Sequence, residues 1–152
     1  MSEGNQGALE ATDGMLVSIM LPGKKVEKMT LFDECKKALS TDFDVLKGQR
    51  AKDALNILYK FPFSNGNLLW AELKYVDYEE INDLISDNNN KNYDAFVFVD
   101  DINIPIFKSN LALIAENIYD VTALSPKIFI FNNELILQPQ FPNETIRLGR
   151  KN

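Results

Sequence analysis

The spacing of apolar and polar residues changes period several times along the chain, and each change predicts an element. Leu16–Leu21 reads as a first strand, stopped by Pro22-Gly23. Thr30, with Asp33 three residues on, reads as the cap of a helix whose apolar stripe is Leu31, Phe32, Cys35, Ala38 and Leu39. A second stripe, Ala51, Ala54, Leu55 and Leu58, ends before Pro62. Asn65-Gly66 marks a turn, and Leu68–Val76 then reads as a strand. Asp77 with Glu80 reads as a capping box for a helix that buries Ile81, Leu84 and Ile85.

Asp87–Asn92 carries four asparagines and reads as a loop. Ala95–Val99 is apolar at every position, as a central strand covered on both faces requires. Ile104–Phe107 reads as a short strand that Pro105 places at an edge or bulge. Ser109 is placed to cap a helix carrying Leu111, Ile114, Ala115 and Ile118. Lys127–Phe131 and Glu134–Leu137 predict a hairpin whose two-residue loop, Asn132-Asn133, suits left-handed residues. A last strand falls around Thr145–Leu148. The order β-α-α-β-α-β-β-α-β-β-β predicts an α+β domain with a mixed or mostly antiparallel sheet and helices packed against it.

Length and composition narrow the class. The 152 residues, 45% hydrophobic and 25% charged, suffice for one domain with a proper core. Residues 1–14 are polar and read as a flexible tail, leaving 15–152 as the domain. No apolar run approaches the roughly 20 residues of a membrane helix, and no basic segment precedes Met15–Leu21 as in a signal peptide. A cytoplasmic location without membrane association is expected.

Histidine is absent, which removes Ser-His-Asp and Cys-His catalysis and histidine-ligated metals. Cys35 is the sole cysteine, so no internal disulfide forms; its place in an apolar stripe reads as a buried, inert thiol. No cofactor is implied.

Charge alters the picture further. Glu72 to Asp101 holds nine acids against two lysines, a net of −7, whereas the whole chain carries −6. One segment therefore contains all the excess negative charge. Such a field repels nucleic acid and attracts basic proteins. A solvated helix face and loop would account for the same run.

Three motifs carry possible chemistry. Glu72-Leu73-Lys74 has the acid-x-Lys form of a PD-(D/E)xK nuclease half-site, in which the carboxylate helps hold a divalent ion and the lysine positions water. That reading, a carboxylate-dependent metal enzyme, also needs an upstream Asp on an adjacent strand, for which Asp44 and Asp53 are in range. Asp100-Asp101, ending a buried strand, has the form of a magnesium-binding pair, but a strand only four residues later makes a turn role the better fit. Trp70 and the Phe61-Pro62-Phe63 turn read as core covering or as contact anchors.

The segment from Tyr93 to Phe131 also carries a resemblance. Asp100, Asp101, Asn103, Ile104 and Pro105, followed by Asn117, Ile118, Asp120, Val121, Thr122, Ala123 and Ser125, resemble the pattern in immunity proteins of bacterial contact-dependent growth inhibition systems. The resemblance covers about the C-terminal third. It implies a non-catalytic protein that binds the C-terminal domain of a cognate toxin. With the acidic segment, it makes Glu72, Asp77, Glu79, Glu80, Asp83 and Asp87 the candidate toxin-binding residues, followed by Asp100 and Asp101. A nuclease toxin carries Lys and Arg for phosphate, so the expected partner is basic.

Overall fold

The apolar runs of the C-terminal half form the centre of a seven-stranded sheet. The computed structural model describes residues 29–87 and 93–151. In chain order its elements are α1 (Leu31–Ala38), β1 (Asp44–Val45), α2 (Gln49–Leu58), β2 (Phe63–Ser64), β3 (Asn67–Leu68), β4 (Leu73–Tyr78), α3 (Ile81–Asp87), β5 (Asp94–Val99), β6 (Phe107–Asn110), α4 (Leu111–Glu116), α5 (Ile118–Thr122), β7 (Ile128–Phe131), β8 (Leu135–Pro139) and β9 (Ile146–Lys151). Leu31–Asn152 is one compact unit. The predicted Leu16–Leu21 strand, the 14/15 boundary and the loop at 88–92 lie outside the described residues.

The sheet order is β1-β6-β5-β7-β8-β9-β4, with antiparallel neighbours throughout. One row crosses all seven strands: Val45, Phe107, Val97, Ile130, Leu137, Leu148 and Val76. Its apolar side chains face one layer. Ala95, Val97, Ile130, Leu137 and Leu148 pack with Cys35 and Leu39, Leu84 of α3, Leu111 and Ile114 of α4 and Val121 of α5. The rows on either side point the other way, where Phe96, Phe129, Phe131 and Ile136 pack with Ala54 and Leu58 of α2, Leu46, Phe61 and Leu68. Strand alternation puts successive side chains on opposite faces, so Ala95–Val99 of β5 must be apolar at every position to serve both layers. The fold is α+β, as the pattern predicts.

Several boundaries moved for identifiable reasons. The strand expected over Leu68–Val76 is interrupted by a 3₁₀ turn at Trp70–Glu72, which moves Trp70 off the strand. The strand expected at Ile104–Phe107 begins only at Phe107. Ser109 is fully buried in that strand, with no hydrogen-bond partner for its Oγ among the described residues. Asn110 is the cap instead: its Oδ1 accepts from the Leu113 amide at 2.8 Å while its Nδ2 donates to Asp42. The single helix expected after it breaks at Asn117, whose side-chain amide donates to the Leu113 carbonyl.

The β7–β8 connection has three residues. Asn132 Oδ1 accepts from the Glu134 and Leu135 amides, and neither Asn132 nor Asn133 is left-handed. The left-handed pair is Asn65 (φ 53°) and Gly66 (φ 79°), which closes the β2–β3 hairpin.

Candidate functional site

Antiparallel pairing sends β4, β5 and β8 in one direction and β7 and β9 in the other. The last residues of β4, β5 and β8 therefore gather at one end of the sheet with the first residues of β7 and β9. The predicted site residues divide between this end and the opposite one.

Glu72 lies at the far end, in the turn before β4. Asp77 is the clearest correction. It does not cap a helix; it is a strand residue opposite Arg147. Its two carboxylate oxygens accept from Arg147 Nε at 2.7 Å and Nη2 at 3.1 Å. That bidentate contact holds its carboxyl below the usual carboxylate range. The cap reading failed because Tyr78 still belongs to the ladder, opposite Ile146, and α3 starts only at Ile81. Asp83 and Asp87 lie on the exposed face of α3.

Asp100 and Asp101 leave β5 at the gathered end. The Asp100 amide donates to the Lys127 carbonyl, and Asp101 Oδ1 accepts from the Asn103 amide at 2.9 Å. The Asp101 carboxylate shows the turn chemistry expected for the pair, whereas Asp100 takes part through its backbone amide, and the turn leaves Ile102 at its tip 98% exposed.

Glu79 and Glu80 stand in the link between β4 and α3, where they line a groove of about 380 Å³. Its other walls are the end of α4, α5, the Ser125-Pro126 turn and the loop between β8 and β9. Glu116 and Glu144 bring two further carboxylates, while Tyr119 and Phe141 are 74% and 70% exposed. Among the described residues no Lys or Arg lines the groove, and its four glutamate side chains form no ion pair or hydrogen bond there. Sequence reasoning missed Glu116, Glu144, Tyr119 and Phe141. Each acid is isolated in a segment of balanced charge, and only the Asn117 break and the β8–β9 loop bring them to Glu79.

The nuclease constellation is not assembled. Asp44 sits on β1 and Lys74 on β4, the two outermost strands, about 29 Å apart at the usual strand spacing. Asp44 is held by Arg50, whose hydrogen bond lowers its pKa, and Asp53 lies in α2 with Gln49 as its donor. Cys35 is fully buried; desolvation, reinforced by the charge of Asp120, pushes its thiol up to about 12. A thiol so placed is not a nucleophile at neutral pH.

At the β4 edge, Arg147 lies over the rings of Tyr75 (4.3 Å) and Trp70 (5.5 Å). Trp70 Nε1 donates to Gln138 at 3.0 Å. The fold thus holds one cation of its own between aromatic rings and a carboxylate.

The domain is thus a layered α+β fold with a groove lined by glutamates and exposed aromatic rings at one end of its sheet. A family model described as "CdiI immunity protein EcoliA0-like" matches residues 29–149, and the chain belongs to that family. It is an immunity protein that neutralises a cognate toxin. Comparison with curated proteins gave no match. Among the described residues no helix is long and apolar enough to cross a membrane.

Proposed function

We propose that this immunity protein acts in the cytoplasm as a non-catalytic inhibitor of a basic, nucleic-acid-degrading toxin domain, which it engages through its acidic surface. The observation that carries the reading is charge placement on a member of a toxin-neutralising family: the excess charge falls in Glu72–Asp101. Glu79, Glu80, Asp83 and Asp87 project from the β4–α3 link and α3 as exposed acids. A toxin that cleaves nucleic acid must present cations to phosphate. An acidic surface steers such a partner into encounter and, once docked, occupies the cations that substrate needs.

The test is protection. Cells expressing the cognate toxin domain together with a Glu79, Glu80, Asp83 and Asp87 to Lys variant are expected to die, while the wild type protects them. Asp77 is left unchanged because it holds Arg147. Association should also slow as salt rises, since exposed charges are screened over about 8–10 Å near physiological ionic strength. Full protection by the folded variant would remove the acidic surface from the mechanism. Metal-dependent cleavage of nucleic acid by the immunity protein itself, lost on Glu72→Ala, would reinstate the enzymatic reading.

A further inference from the structure

We infer that the groove at the end of the sheet, rather than the outer face of α3, seats a lysine- or arginine-bearing segment of the toxin, with Tyr119 and Phe141 flanking the inserted side chain. The inference rests on the toxin-binding reading and narrows it to one place and one chemistry. Glu79 and Glu80 come from the β4–α3 link, Glu116 from the end of α4 and Glu144 from the β8–β9 loop. The groove thus draws glutamates from three separate segments and, among the described residues, no Lys or Arg. A cationic side chain is the electrostatic complement of such a lining.

Two aromatic rings at 74% and 70% exposure add a second, independent feature. Large exposed rings beside a concavity mark contact surfaces, because such rings supply the buried anchors of interfaces. A ring next to a carboxylate also favours a guanidinium or ammonium over a neutral side chain. The molecule contains an internal precedent: Arg147 lies on Tyr75 and pairs with Asp77. The groove is lined by the same two kinds of side chain, carboxylates and aromatic rings.

A bound metal ion is the poorer occupant. Among the described residues no three His, Cys, Asp or Glu side chains stand close enough to hold one. A second copy of this chain would bring a molecule of net charge −6 against four carboxylates.

The experiment compares two charge-reversed variants for binding to the purified, catalytically inactivated cognate toxin domain, with rates read by surface plasmon resonance. Glu116→Lys with Glu144→Lys alters the groove at residues outside the acidic segment. Asp83→Lys with Asp87→Lys alters the outer face of α3. The groove pair is expected to weaken binding by about 30-fold or more and the α3 pair by less than about tenfold. Phe141→Ala should raise the dissociation rate, and its effect should shrink when combined with Glu144→Lys if both touch one inserted side chain. Should the groove pair fail to fold, Glu116→Gln with Glu144→Gln carries the same comparison.

Loss of binding in the α3 pair with none in the groove pair would overturn the groove while leaving the acidic surface intact. Wild-type affinity in both pairs would overturn the groove together with the acidic-surface reading. A concentration-dependent dimer that the groove pair abolishes, with toxin binding unchanged, would show that the groove seats a second copy instead. A thermal shift with magnesium or manganese alone, lost in the groove pair, would reassign it to a metal.

Discussion

Asp77 and Glu79 stand two residues apart on either side of the end of β4. Asp77 lies in the ladder, with both carboxylate oxygens on Arg147, whose guanidinium lies over Tyr75. Glu79 lies beyond the last ladder pair, in a groove with Glu80, Glu116 and Glu144, and its side chain takes no hydrogen bond or ion pair among the described residues. One carboxylate is held at the sheet edge; the other is exposed and lines a groove with three further glutamates. The acidic segment is therefore two surfaces. Its strand portion is neutralised from within the fold, by a cation that β9 carries into register. Its link portion has no such strand opposite, and Glu79 and Glu80 remain exposed to solvent. Counting acids along the chain treats these positions as equivalent, and backbone pairing separates them.

The largest expected effect on the strand side comes from Gly149→Ala. Gly149 sits in β9 between Tyr75 and Ile136, and a Cβ there would lie 2.6 Å from Cζ3 of Trp70 and 3.2 Å from Cδ1 of Leu73. The indole must move, which would strain its bond to Gln138 and its place beside Arg147. Overpacking of this kind costs about 1–3 kcal/mol. Denaturation with urea should show that loss, and emission from the sole tryptophan should shift to the red. An unchanged spectrum and midpoint would mean that the aromatic edge adjusts freely and does not fix Arg147.

The layers were legible in the sequence because burial on two faces leaves a plain mark. Ala95–Val99 and Ile128–Phe131 are apolar at every position, and both became central strands. Cys35, read from its helical spacing as core, is fully buried. Positions at element ends were poorly legible, because side-chain hydrogen bonds decide them and several residues could serve. Asn110 capped in place of Ser109 because its carbonyl reaches the Leu113 amide while Asp42 fixes its amide group. Asp77 resembled a cap because Asp followed three residues later by Glu is the same pattern whether or not the strand has ended. Of the groove, only Glu79 and Glu80 belonged to a visible charge run. Glu116 and Glu144 are brought to them by tertiary structure alone, as are the exposed rings of Tyr119 and Phe141.

A smaller effect should come from Arg147→Ala, which removes the cation but leaves the ladder. It loses a partly exposed bidentate pair and a ring contact, together about 1–2 kcal/mol. The pH dependence supplies the sign. Asp77 has a folded pKa below its unfolded value, so its contribution is present above the ordinary carboxylate pKa of about 4 and is lost as pH falls through the lowered folded value. The stability gap between wild type and Asp77→Asn should therefore be open at neutral pH and close below about pH 4. Urea titrations at a series of pH values measure it. A gap that persists unchanged into acid would show that Asp77 contributes through shape rather than charge.

The smallest expected effect on stability belongs to the groove, and there the comparison becomes sharpest. Glu79→Gln, Glu116→Gln and Glu144→Gln each remove a negative charge that has no partner among the described residues from a chain of net charge −6. Exposed substitutions of this kind change stability by no more than about 0.5 kcal/mol, and relief of repulsion sets the sign toward stabilisation. The triple variant should therefore melt at or slightly above the wild-type temperature at low salt, and added salt should erase the difference because screening does the same work as neutralisation. Toxin affinity should fall in the same variant. Stability and binding would then move in opposite directions from one set of side chains, whereas at Asp77 the carboxylate contributes to the fold. A marked drop in melting temperature for the glutamine variants would place these carboxylates with Asp77 and dissolve the distinction.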